Sequence, residues 1–173
     1  MVGAKRVKLK SVVVTGVSTG IGRAIARRLV RSGAQVFGSV RTTDDAKAAQ
    51  AEFGDSFTPL LFDVTDASAI ARAKEFVRDA VGDAGLGGMV NNAGICVSGP
   101  LLHVPMTEVR HQLEVNVLGG LQVFRSFLPL LGAVRPCPHA PGRIVQHELH
   151  QRPHCHAVRR TLCGLQARTR GPL

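Results

Sequence analysis

Tryptophan and tyrosine are both missing from this chain of 173 residues, and seven phenylalanines are its only members of that aromatic set. Few flat rings are therefore offered for stacking bases, which weighs against single-stranded nucleic acid as a partner. No apolar run reaches the roughly 18 residues that argue for a membrane span. The first ten residues, Met1 to Lys10, are basic but lack the apolar stretch of a signal peptide. These absences lead to the expectation of a cytoplasmic protein with no membrane partner. The four cysteines, Cys96, Cys137, Cys155 and Cys163, have no CxxC spacing, so free thiols are expected rather than disulfides or a zinc site.

Acidic residues are also scarce: 12 against 22 basic ones, a net charge of +10. Such an excess can mark a nucleic-acid binder. Its distribution argues against that here. Residues 146–173 hold five Arg and one Glu, and the remaining excess is spread over helix faces such as Arg23, Arg27, Arg28 and Arg31. Solvated basic helix faces account for that pattern, and no nucleic-acid partner is expected.

What is present is alternation. Apolar runs alternate with helical patterns, the signature of βαβ units and a parallel sheet. Strands are expected at about Ser11–Thr15, Gln35–Val40, Thr58–Phe62, Gly88–Asn91 and Arg143–Val145. Helices are expected at about Ile21–Ser32, stopped by Gly33, at Ala46–Phe53, at Ala67–Val81 with Asp66 as N-cap, and at Glu108–Leu131. In the last of these Val109, Leu113, Val117, Leu121 and Phe124 recur at three- and four-residue steps. The length allows one domain with a sizeable core.

Between the first strand and the first helix lies Thr15-Gly16-Val17-Ser18-Thr19-Gly20-Ile21-Gly22. Gly16 suits a tight turn, Gly20 lets backbone approach a pyrophosphate, and Gly22 lets the helix pack closely on the strand. The helix N-terminus supplies free N–H groups and a positive dipole end to the anion. Such a turn alone is weak evidence. A second signature, Asn91-Asn92-Ala93-Gly94, strengthens it, and so do Asp63-Val64 after the third strand, Asn116 within Glu114-Val115-Asn116-Val117, and Gly142-Arg143-Ile144-Val145 at the fifth.

In order and spacing these residues resemble the short-chain dehydrogenase/reductase family over about residues 9 to 145. The fold this implies is an α/β Rossmann-type doubly wound parallel sheet, cut short after about the fifth strand. Residues 1–145 would form an incomplete NAD(P)-binding domain and 146–173 an irregular basic tail. The implied activity is hydride transfer between a nicotinamide cofactor and an alcohol or ketone. The resemblance implies that Thr15, Gly16, Ser18, Gly20, Ile21 and Gly22 cradle the pyrophosphate. It implies that Asp63 and Val64 contact adenine, and that Asn91, Ala93 and Gly94 line the cofactor ribose and brace the sheet. It also implies that Asn116 shapes a proton relay. For Asp63 a turn-capping role, and for Asn91 and Asn116 purely structural contacts, remain open. Family members are usually homo-oligomers.

The end of the second strand selects the cofactor. A carboxylate there binds the ribose 2′-OH and repels a 2′-phosphate. Here the residues are Ser39-Val40-Arg41-Thr42. Arg41 is suited to a 2′-phosphate, which favours NADP(H) over NAD(H). Asp44 and Asp45 lie close by in sequence, and a solvated loop arginine is the alternative reading of Arg41.

The family's chemistry needs a Ser, a Tyr and a Lys beyond the fifth strand. The last lysine here is Lys74, and the expected positions fall near Leu149, Leu162 and Gln166. The chain as written is expected to be inactive. The second class of function is a non-catalytic NADP(H)-binding or interaction protein. Loss of the later elements would leave the fifth strand as a bare edge and the long helix with an uncovered apolar stripe, and so a marginally stable protein.

The tail carries an explanation. Read one nucleotide later, codons for residues 146–172 permit Asn-Met-Ser-Ser-Ile-Ser-Gly-Arg-Ile-Ala-Met-Pro-Phe-Gly-Gly-Leu-Tyr-Ala-Ala-Ser-Lys-His-Ala-Leu-Glu-Gly. That is a family-like continuation with Ser, Tyr and Lys at the right spacing. A one-base frameshift near codon 146, in the gene or its sequencing, is the expectation. The rival, a metal site of His147, His150, His154, Cys155, His156 and Cys163, follows no common zinc spacing. DNA sequence across the codons for Arg143 through Pro172 is expected to spell the second reading. Codons that do not spell it would make the tail genuine.

Overall fold

The computed structural model describes residues 11–100, 102–134 and 137–147. The basic tail from residue 148 onward lies outside them, with most of its His and Cys and with positions 149, 162 and 166. So does the N-terminal stretch 1–10.

Five strands, β1 (Ser11–Val14), β2 (Gln35–Val40), β3 (Phe57–Leu61), β4 (Gly88–Asn91) and β5 (Arg143–Gln146), form one parallel sheet. Their spatial order is β3-β2-β1-β4-β5. All the pairings are parallel, with Val13 opposite Phe37 on one side and Met89 on the other. The near-continuous valine run of β1 suits a central strand buried on both faces. Pro59, which has no N–H to give, sits in β3 at an edge of the sheet.

Helices cover both faces, as expected of a doubly wound sheet. On one face α1 (Gly20–Arg31) and α2 (Thr43–Phe53) meet Val12, Val14 and Val36 through Ala26, Ala49 and Phe53. On the other, α3 (Ala67–Val81) packs Ile70, Ala73 and Val77 on Val13, Phe37 and Met89. The alternation of Val12 and Val14 against Val13 is the two-residue period of a strand divided between two cores.

Most expected elements stand within a few residues of where the sequence put them, and the differences have local causes. Helix α2 starts at Thr43 rather than Ala46 because Thr42 caps it. The Thr42 hydroxyl oxygen accepts the Asp45 N–H at 3.1 Å and donates to the Asp45 carboxylate at 2.8 Å. Asp66 caps α3 as expected, accepting from the Ala69 N–H at 2.9 Å. Strand β5 continues through Gln146, one residue past the expected Val145, and the next N–H, from His147, donates to the Asn91 carbonyl at 2.9 Å.

The long helix differs most. It begins as α4 (Met106–Leu113), widens into a π-helical segment at Glu114–Gly119, resumes as α5 (Gly120–Phe127) and tightens into a 3-10 turn at Leu128–Leu131. The periodic stripe that marks it in the sequence is not the face it buries. Leu113, Val117 and Leu121 are exposed, whereas Val115, Val123, Phe127 and Leu131 enter the core. The π segment adds a residue to the turn and so rotates the buried face between the two halves. Beside it, β5 forms the other sheet edge, and Ile144 and Val145 are exposed there.

The two faces of this helix make a direct test. Phe127→Ala should cost about 3–5 kcal/mol of unfolding free energy by cavity creation. Leu121→Ala, at a position 50% exposed, should cost less than about 0.5 kcal/mol. Urea unfolding of both variants checks this, and equal losses would mean that the periodic stripe is the packed one.

Candidate functional site

A cleft of about 400 Å³ opens across the C-terminal ends of the strands. It is centred on β1, where the chain order reverses between β2 and β4, the place at which open α/β sheets bind ligands. Its floor is the turn from Gly16 to Gly22. Arg41, Asp63 and Val64 stand on the β2–β3 side, and Asn92, Ala93, Gly94 and Ile95 on the β4 side.

The turn is built by exclusion. Gly16 has φ +70°, and a Cβ there would lie 3.0 Å from the Ala93 Cα. Gly22 tolerates no side chain, because a Cβ would collide with the Gly16 carbonyl oxygen and the Asn92 amide. Gly20, at φ +59°, is the opposite case: a Cβ would meet nothing within 4 Å. It faces open space, which is what a phosphate approaching the backbone requires. The N-cap of α1, Thr19, makes no side-chain capping bond, and no acid occupies the first turn. By contrast α2 and α3 are both capped by side chains. The N-terminal N–H groups of α1 and its positive dipole end are therefore left for an anion. The residues fit a dinucleotide pyrophosphate.

Behind the turn lies a buried polar lattice. The Thr15 hydroxyl oxygen accepts the N–H groups of Asn92 (2.8 Å) and Ala93 (2.9 Å) and donates to Asn91 Oδ1 at 3.3 Å. Asn91 Nδ2 donates to the Gly120 carbonyl at 2.9 Å and to Gln146 Oε1 at 3.1 Å. Asn92 Nδ2 donates to the carbonyls of Thr15 and Gly16. The Gly16 N–H is taken by Ser39 Oγ at 3.0 Å. Gly120 lets α5 come close, since a Cβ there would stand 3.0 Å from Asn91 Nδ2.

Of the residues read from the sequence, Gly16, Ser18, Gly20, Ile21, Gly22, Arg41, Asp63, Val64, Ala93 and Gly94 line the cleft together. Thr15, Asn91 and Asn116 do not. Thr15 and Asn91 are buried in the wall, where their polar atoms are engaged by protein. Asn116 sits in the π segment with both ends of its amide on Ile95: Oδ1 accepts the Ile95 N–H, and Nδ2 donates to the Ile95 carbonyl, each at 2.8 Å. Ser39, His111, Val115 and His147 were not anticipated, and His111, Val115, His147 and Ser39 all line the cleft. Ser39 had one signal, its place at the end of β2. His147 fell within what looked like tail, and His111 showed no pattern of its own.

Asp63 is poised as a carboxylate. Partial burial pushes its pKa up, but the Thr65 N–H and hydroxyl bonds and the charges of Arg41 and His111 outweigh this, so the net shift is downward. The stability it contributes is present above its ordinary titration range and is lost only as pH falls through the lowered pKa. The Thr65 contacts are the turn-capping role that the sequence left open. Outside the cleft lining, Glu52 of α2 accepts from Arg23 (2.7 Å) and Arg27 (2.9 Å) of α1. Those two bonds, Arg27 foremost, hold its carboxyl below the usual range. Arg23 also donates to the Ser18 carbonyl at 3.0 Å. Among the described residues Arg41 forms no ion pair.

Residues 10–147 match the family model for the short chain dehydrogenases. The chain belongs to that family. Among its relatives, an NADPH-dependent 3-dehydrocapnine reductase from Ornithobacterium rhinotracheale is 42% identical over 138 residues, 80% of this chain and 48% of that protein. Retinol dehydrogenase 16 of Mus musculus is 36% identical over 137 residues, 79% of this chain and 41% of its own length. The human 17-beta-hydroxysteroid dehydrogenase type 6 is 37% identical over the same shares. A crystal structure of a short-chain dehydrogenase from Streptomyces avermitilis superposes with a TM-score of 0.70 at 31% identity, covering 80% of this chain and 48% of that one. The chain thus spans about half the length, or less, of the relatives it matches. Short-chain dehydrogenases use NAD(P), and the cleft carries the fold position and backbone donors for it. Among the described residues, no helix is long and apolar enough to cross a membrane.

The Thr15 hydroxyl can be tested by itself. Thr15→Val keeps the shape but orphans two N–H groups and the Asn91 acceptor. It should cost about 2–4 kcal/mol, since each unmet buried group costs roughly 1–3. Thr15→Ser keeps the hydroxyl and should stay within about 1 kcal/mol of wild type. Denaturant unfolding distinguishes the two, and a larger loss for Thr15→Ser than for Thr15→Val would assign the role to the methyl group.

Proposed function

We propose that this chain binds NADP(H) in the cleft at the head of β1, and that the 173 residues as written transfer no hydride at a useful rate. The observation that carries the binding reading is the uncapped N-terminus of α1 facing open space at Gly20. In this reading Gly16, Ser18, Gly20, Ile21 and Gly22 hold the pyrophosphate by backbone N–H groups. Asp63 and Val64 meet the adenine, and Ala93 and Gly94 line the ribose on the other side. Thr15, Asn91 and Asn116 act from behind, by keeping those segments in place.

The preference for the phosphorylated cofactor rests on Arg41. It lines the cleft at the end of β2. The two acids that follow are accounted for elsewhere: Asp45 is engaged by Thr42, and Asp44 pairs at 3.9 Å with Lys47. A relative that is 42% identical is named as NADPH-dependent. A guanidinium that forms no ion pair among the described residues, with Asp63 acting on it only at longer range, suits a 2′-phosphate.

The bound nicotinamide would supply or accept the hydride, with an alcohol or ketone as its partner. What this chain lacks is the phenol that moves the proton at the substrate oxygen, since it has no tyrosine. The family match ends at residue 147, close to the codon at which the second reading frame opens, which supports a frameshifted tail. The second reading is a non-catalytic NADP(H)-binding or interaction protein. The cofactor-side residues are compatible with that too.

Titration of the purified chain with NADPH and NADH, by ligand fluorescence or calorimetry, should give tighter NADPH binding and no turnover of alcohols or ketones. Arg41→Ser should weaken NADPH by about ten- to a hundredfold, the range of a charge-assisted hydrogen bond, and leave NADH within about twofold. Equal losses for both cofactors would remove Arg41 as the selector. Turnover that Gly16→Asp abolishes would overturn the inactive reading.

A further inference from the structure

After β4 the backbone leaves the sheet, and among the described residues no strand runs beside it, yet two of its N–H groups are answered from a helix. The Ile95 N–H donates to Asn116 Oδ1 at 2.8 Å, and the Val97 N–H donates to Gln112 Oε1 at 2.6 Å. Gln112 and Asn116 are four residues apart on one continuous helical rod, α4 running into the π segment. Four helical residues rise about 6 Å. Two residues of extended chain advance about 6.6 Å. The spacings match, so two side-chain amides on a helix stand in for the hydrogen bonds of a missing strand.

We infer that Gln112 is a positioning residue for the β4-side wall of the cleft, the second rung of a clamp whose first rung is Asn116. Ala93, Gly94 and Ile95 are that wall, and Ala93 and Ile95 also pack on the core beneath. At its start the wall is pinned by the Thr15 hydroxyl through the Ala93 N–H. At its far end the clamp holds it from the helix through Ile95 and Val97. Asn116 holds Ile95 at both N–H and carbonyl. Without Gln112 the segment beyond Ile95 loses its hydrogen bond to the helix, and Asn116 alone holds the far end of the wall. The inference rests on the NADP(H) reading. In that reading Arg41 takes the adenosine phosphate on the β2 side, so the clamp governs the nicotinamide half on the β4 side. Gln112 acts only through backbone and touches no ligand.

The test uses two ligands and two variants of the whole chain. Gln112→Leu removes the acceptor. Gln112→Glu keeps an oxygen for the Val97 N–H. NADPH carries both halves of the dinucleotide, and 2′,5′-ADP carries the adenosine half alone. Gln112→Leu should raise the Kd for NADPH by about five- to tenfold, as loss of one hydrogen bond predicts. It should leave 2′,5′-ADP within about twofold, and Gln112→Glu should restore NADPH binding. Losses that are equal for the two ligands, or no loss for either, would overturn the positioning role.

Hydrogen exchange of the Val97 amide in the ligand-free protein separates this inference from the cofactor reading. Faster exchange in Gln112→Leu than in wild type or Gln112→Glu is expected whether or not nucleotide binds. Unchanged exchange would remove the clamp, whereas a wild-type chain that binds neither ligand would remove the cofactor reading itself.

Discussion

At the C-terminal ends of β1 and β4 one buried hydroxyl, that of Thr15, accepts two backbone N–H groups and gives its own proton to Asn91. Strand ends are where sheet hydrogen bonding runs out, so their N–H groups must find other acceptors or remain unmet. Thr15 closes that deficit for the segment that leaves β4. Asn91 then carries the connection to α5 through the Gly120 carbonyl and to β5 through Gln146. The start of the β4-side wall, at Asn92 and Ala93, hangs from this lattice. Thr15 and Asn91 at its centre are buried and hydrogen-bonded to one another, which favours a fixed arrangement of the strand ends.

The cleft's electrostatics follow from which groups are left alone. Helices α2 and α3 consume their own N-terminal donors with side-chain caps, while α1 does not. Arg23 and Arg27 are drawn away by Glu52 and tie α1 to α2. Arg23 also fastens the Ser18 carbonyl, so a carboxylate on α2 bears on the shape of the glycine turn. Arg41 lines the cleft on the same side as Asp63. The result is a cleft with the free N–H groups of α1 at its floor and both Arg41 and the Asp63 carboxylate on its β2–β3 side, at a fold position that suits a dinucleotide.

Much of this was legible in the residues. The glycine turn reads directly because only glycine satisfies both a positive φ and a contact too close for a Cβ. Helix α3 reads to its ends, since Asp66 begins it and its apolar spacing is regular. The long helix misleads for a physical reason. Leu113, Val117 and Leu121 keep helical period, but the π segment and the small Gly119 and Gly120 turn a different face inward. Period reveals that a helix exists, not which side of it has neighbours. Gln112 and His111 were invisible because their partners, Val97 and Asp63, lie far off in sequence. Ser39 stood in plain view at the end of β2, but only the packed turn gives its hydroxyl the Gly16 N–H to accept.

By itself the sequence determined the alternation of strands and helices, the phosphate-type turn and the absence of a phenolic proton donor. Each is a local matter: backbone sterics at glycine, the period of apolar residues, the presence or lack of a functional group. Tertiary structure decided which side chains form the cleft and which only support it. Thr15 and Asn91, read from the motif as cofactor-side residues, and Asn116, read as a relay residue, stand outside the cleft lining, with structural contacts already open for the two asparagines; their polar atoms meet protein partners distant in sequence. That choice depends on how β1, β4 and the long helix pack together, and no local pattern encodes it.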